Sequence, residues 1–160
     1  PPPRMAEAPH AGEFSFFVRR ADPDDVETVS AMFDRAFTED TLVEAFVGFH
    51  GLEPAALRSP AKRQQFFLSL IETCFMSVTV EDEEGNIAAF AALDDIPIQM
   101  MNNPEAGTAW EEWFQEAFAE PGVDGTNSLW FSCLLAEPES GVMAEILRTT
   151  FSTMHDLEHL

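Results

Sequence analysis

Two histidines, His155 and His159, stand four residues apart with Asp156 and Glu158 beside them. That spacing puts two imidazoles on one helix face, which is half of a metal site. A third ligand would have to come from elsewhere, and no residue pattern supplies one; His10 and His50 are isolated. The pair therefore reads as a polar helix end with its histidines near the negative pole. The acidic run at 81–84 (EDEE) lacks the alternating aspartates and terminal glutamate of a calcium loop, and reads as a solvated turn. Ser140, His155 and Asp156 form no nucleophile motif of the G-x-S-x-G kind. Cys74 and Cys133 sit in apolar runs that read as strands, and are expected to be reduced core thiols of an intracellular protein, not a disulfide. No catalytic set and no metal set emerges.

The elements that would position any site follow from periodicity and breakers. Residues 1–12 are rich in Pro and Ala and are expected to be a leader or linker, with a single domain over 13–160. The absent initiator Met, and an ending at Leu160 inside an apolar pattern, suggest a piece of a longer polypeptide. Residues 13–20 (EFSFFVRR) predict a strand. Asp22-Pro23-Asp24-Asp25 is a compact helix start, and Val26, Val29, Phe33, Ala36 and Phe37 then recur on one face. Between 38 and 60, Gly48, Gly51, Pro54 and Pro60 predict short helices and turns. A helix over 62–72 would turn Phe66, Phe67, Leu70 and Ile71 inward. An antiparallel hairpin is predicted from FMSVTV (75–80), a polar turn with Gly85, and IAAFAAL (87–93).

After an excursion at 94–107, a helix over 108–119 carries Trp110, Trp113, Phe114, Ala117 and Phe118 at spacings of three and four. These aromatics read first as core, with Trp110, Trp113 and Phe114 as candidate partner contacts should the insert lie on the surface. SLWFSCLLA (128–136) is a nearly unbroken apolar run that predicts a central strand buried on both faces. A last helix is marked by Met143, Ile146, Leu147, Phe151 and Met154, and 157–160 opens a further strand. The predicted fold class is α/β, with a mixed, mostly antiparallel sheet flanked by helices on both faces, in the order β-α-α-β-β-insert-β-α.

This order resembles the Gcn5-related N-acetyltransferase fold. "VRRADPDDVETVSAMF" looks like its first strand and helix. "VTVEDEEGNIAAFAALDD" resembles its second and third strands, with Ala89 where a glycine is frequent. "LWFSCLLAEPESGVMAEIL" resembles its fourth strand and acyl-CoA-receiving helix. The resemblance implies that the fold's last strands are missing here. The stretch "SLWFSCLLAEPESGVMAEILRTTFSTMHDLEHL" after a Trp-rich insert is closer to the N-terminal region of the cilia- and flagella-associated protein 61 family, from about Phe16 onward. That likeness implies a structural domain of an axonemal radial-spoke scaffold, in a complex that also contains calmodulin. Calmodulin is itself acidic, so direct contact with this segment is not expected.

In the acetyltransferase fold, a loop resembling Arg/Gln-x-x-Gly-x-Gly/Ala cradles the cofactor diphosphate with backbone N–H groups at a helix start. Here that stretch is Glu139, Ser140, Gly141, Val142 and Met143, with one glycine, no preceding Arg or Gln, and Met143 at the next glycine position. It is a degenerate loop, and no cofactor is expected. Many members of the fold protonate the leaving thiolate with a tyrosine, and this sequence has none.

Charge points the same way. The chain of 160 residues carries 29 acids against 8 Lys and Arg, a formal net charge of −21, and from Gln64 through Leu147 there are sixteen acids and no Lys or Arg. Such a field repels nucleic acid, anionic membrane surfaces and the phosphates of coenzyme A. It favours partners with basic surfaces, or serves simple solubility. The expected function is a non-catalytic docking module of a ciliary axonemal scaffold; the alternative is an N-acetyltransferase or acyl-CoA-binding domain with an atypical loop.

Overall fold

Strand β1 (Phe17–Arg20) opens the chain in a computed structural model that describes residues 16–53, 55–101, 110–119, 122–136 and 141–160. The leader at 1–12 and loop residues Glu139 and Ser140 lie outside the described residues. The acidic helix start forms as the sequence predicts. Asp22 accepts a hydrogen bond from the Asp24 N–H at 3.0 Å, and Asp25 accepts from the Asp22 N–H at 2.8 Å, a reciprocal cap around a 3-10 turn at Pro23–Asp25. Helix α1 (Val26–Ala36) follows and buries Val29 and Phe33, while Ala36 stays exposed. Helix α2 (Asp40–Phe49) occupies the segment that the sequence breaks up with glycines, and α3 (Pro60–Thr73) is capped by Ser59 and buries Phe67, Leu70 and Ile71. Arg63 of α3 holds the intervening loop, donating to the Leu57 carbonyl and to the Asp34 carboxylate, each at 2.9 Å.

The hairpin is β2 (Met76–Glu81) and β3 (Ile87–Asp94). Its turn is built by Asp82, whose carboxylate accepts from the backbone N–H of Glu84 and Asn86, and by Gly85 at φ +82°. The insert supplies α4 (Ile98–Met101) and α5 (Trp110–Phe118), then β4 (Trp130–Ala136) and α6 (Val142–Thr153) close the fold. The sheet runs β1-β2-β3-β4, every pair antiparallel. Among the described residues the parallel component is a single bridge between Ser128 and His159.

Strand alternation divides the core between two faces. Phe90, Ala92, Cys133 and Leu135 pack with α1 and α3, whereas Ala89, Ala91, Leu93, Val78 and Val80 pack with Val142 and Ile146 of α6. Three expectations need correction. The strands buried on both faces are β2 and β3, not β4: β4 mixes buried with half-buried residues, is last in the sheet, and among the described residues its outer edge meets only the 159 bridge. A continuous apolar run marks burial of side chains and says nothing of whether a strand's edge is paired. His155 and His159 do not share a helix face, because α6 ends at Thr153 and His159 is extended beside Ser128. Cys74 caps α3 instead of lying in a strand.

One ionic cluster ties β1, the helix start and β2 together. Arg19 forks onto Asp25 at 2.7 and 2.8 Å and sets its Nε on Glu81 at 2.7 Å. The guanidinium beside it holds the Asp25 carboxyl below its usual range. Removing one partner of a buried pair costs about 3–5 kcal/mol; because the Arg19 side chain is 30% exposed, Arg19→Ala should cost nearer to about 2 kcal/mol. Arg19→Lys, which keeps the charge and loses the fork, should recover less than half of that in chemical denaturation.

Candidate functional site

The degenerate loop enters the described structure at Gly141, the residue before α6, with φ +72°. A Cβ placed there meets nothing within 4 Å, so among the described residues it is the left-handed backbone that calls for glycine. No side chain caps this helix start. Val142 is buried in the core, Met143 is half-buried, and neither offers a polar group. Arg148, the first cation past the loop, is held by Glu145 of its own helix through both Nε and Nη2. Its side chain is otherwise exposed, with part of its charge already offset by that carboxylate. Beyond the N–H groups of the helix start, Gly141, Val142 and Met143 bring no polar side chain to a coenzyme A diphosphate.

One cation near this end of the sheet escaped sequence reasoning. Arg35, from the last turn of α1, borders a cavity of about 240 Å³ with Met32, Ile87, Leu135 and Ala136. It is exposed and makes no ion pair with a described residue. It reaches the end of β4 from a helix about a hundred residues earlier, so no local pattern announced it.

The larger feature lies at the opposite end of β4. Glu111 accepts from the Gly125 N–H at 2.8 Å, and Gln115 donates to the Val123 carbonyl at 3.1 Å, which pins α5 to the loop that follows it. Trp110 is only 3% exposed and meets Trp130 edge-on at 5.4 Å, so it is core and not a partner contact. Phe114 is half-buried, also edge-on to Trp130 at 5.2 Å. Trp113 and Phe118 look outward, 47% and 58% exposed, with their rings 6.0 Å apart. They line an open cavity of about 650 Å³ with Phe49, Ile98, Phe131 and Leu160. Of the three candidate contact residues, the structure keeps Trp113 and Phe114 at this groove and withdraws Trp110. Phe49 and Leu160 were not legible as part of it.

The remaining candidates carry no chemistry here. Burial pushes the Cys74 thiol up to about 12 and raises Cys133 as well, so both are protonated core thiols. Asp94, beside Cys74, has its carboxyl raised by burial and accepts from the Phe75 N–H at 3.2 Å. His159 lies 3.9 Å from Glu158. Among the described residues, no three His, Cys, Asp or Glu side chains come together as a metal site.

Residues 17–160 match the family model described as cilia- and flagella-associated protein 61, N-terminal domain. No curated protein matches the chain. Among solved structures, it is similar to a protein assigned as a phosphinothricin N-acetyltransferase, at 17% identity and a TM-score of 0.47. That likeness covers 89% of this chain and 66% of the other, so the chain spans less than two thirds of its length.

Proposed function

The chain belongs to the cilia- and flagella-associated protein 61 N-terminal domain family, and on that premise we propose that it is a non-catalytic docking module of a ciliary axonemal scaffold. The observation that carries this is the helix start at Gly141. One glycine where the resembled loop has two, Met143 at the second position, and an arginine paired with Glu145 make a poor seat for a cofactor with several phosphate charges. The sequence adds carboxylates at Glu137 and Glu139, just ahead of that helix start. A surface of net charge −21 suits basic neighbours, and we place those neighbours among the radial-spoke proteins of the axoneme.

The alternative, an N-acetyltransferase or acyl-CoA-binding domain with an atypical loop, is favoured by one observation, Arg35 beside the cavity at the end of β4. Thermal melting with acetyl-CoA separates the two. At about 1 mM, a ligand of about 10 μM affinity adds about 2.7 kcal/mol, which is about 5–10 °C in a chain of this size. A docking module should move by less than about 1 °C, and its association with basic partners should weaken several-fold as salt shortens the Debye length from about 10 to about 3 Å. A melting shift of several degrees that Arg35→Glu abolishes would establish the alternative.

A further inference from the structure

We infer that the aromatic groove between α5 and the start of β4 is the seat of a basic amphipathic helix from a partner protein. This rests on the docking function above and names the partner's chemistry. Three large aromatics, Phe49, Trp113 and Phe118, are open to water around one cavity of about 650 Å³. They come from two helices remote in sequence, so this is a built concavity and not a stray surface residue.

Charge selects among occupants. Glu112 and Glu116, exposed and one turn apart, stand beside Trp113 in α5, and Glu158 is exposed two residues before Leu160, which also lines the cavity. The segment from 64 to 147 that builds most of the groove has no Lys or Arg. A second copy of this chain, itself at −21, is repelled, as is an anionic lipid surface. A segment that presents apolar anchors between lysines or arginines is attracted on both counts.

Backbone pairing selects the conformation. An extended peptide would need a free strand edge to satisfy its N–H and C=O groups. Just ahead of β4, where the groove begins, the backbone is already paired: the Leu129 N–H donates to the His159 carbonyl at 3.1 Å, and the N–H groups of Glu158 and His159 donate to the Asn127 carbonyl at 2.8 and 3.1 Å. An occupant here must satisfy its own backbone, which a helix does.

The test uses the 160-residue chain and two labelled 14-residue Leu/Lys peptides of identical composition, one with Leu at i, i+3 and i+4 spacing and one with Leu alternating. Fluorescence anisotropy at low salt should show the helical peptide binding at least tenfold more tightly than the alternating one. Trp113→Ala and Phe118→Ala should each weaken it about tenfold, with circular dichroism unchanged because both side chains are exposed; Phe17→Ala, on the far edge strand β1, should not weaken it. Equal binding of both peptides, indifferent to Trp113→Ala, would remove the groove and leave acidic docking intact. No binding of either peptide would remove both.

Discussion

Phe67→Ala is expected to destabilise the domain by about 3–5 kcal/mol, the range for truncating a fully buried phenylalanine. Phe67 is wholly buried on α3 and stands where three elements converge. Its ring lies 5.7 Å from Phe33 of α1, 5.2 Å from Phe66 and 6.1 Å from Phe90 of β3, the last nearly perpendicular. Truncation leaves a void that α1, α3 and the sheet cannot all collapse into, because each is fixed by other contacts in the same cluster. Against a typical total of about 5–15 kcal/mol, such a loss is a large fraction of stability. In urea it should lower the midpoint by about 2 M for a chain of this size, with little change in slope. Phe17→Ala, at an exposed ring, should move it by less than about 0.5 kcal/mol. A Phe67→Ala midpoint within error of wild type would mean that α3 does not pack on the sheet as described.

That contrast between two phenylalanines marks what local sequence pattern conveys. Signals that are complete within a few residues were legible: the Asp22–Asp25 cap, and the turn between β2 and β3 with Asp82 and Gly85. The inward face of α3 was legible because its period is undisturbed from Phe66 to Ile71. Where the answer depends on a distant element, pattern failed. Trp110 and Trp113 are one turn apart on α5 and look equivalent in sequence, yet Trp130 covers the first and leaves the second in water. Phe49 joins the groove from α2, and Arg35 reaches the end of β4 from α1. The Arg19 fork joins residues 6 and 62 positions away. The position of β4 at the side of the sheet was hidden for the same reason, since side-chain burial does not report which strands lie beside it.

Acid should unfold the domain earlier than its carboxylates alone require, through His50. This residue follows α2, buried among Phe46, Phe49 and Phe66, with ring centroids at 4.4, 5.4 and 4.9 Å and no hydrogen-bond partner for its Nε2 among the described residues. Burial pushes its pKa down to about 4 from an ordinary 6.5. The folded chain therefore holds His50 neutral while the unfolded chain protonates it, so below pH 6.5 the unfolded state binds the extra proton. The stability that neutral His50 permits is fully present above pH 6.5 and is lost as pH falls towards 4, for a total of about 3 kcal/mol. Asp25 acts in a lower window: its depressed pKa stabilises the fold above the ordinary carboxylate range and is lost only below it. Asp94 acts with the opposite sign, since its raised pKa makes the folded state the better proton acceptor as pH falls. These overlapping titrations cancel in a difference. Urea stability measured from pH 7 to 4 for the wild type and for His50→Leu should diverge, the wild type losing about 3 kcal/mol more. Parallel profiles would place His50 in water, and would take with them the packing of α2 against Phe66 of α3.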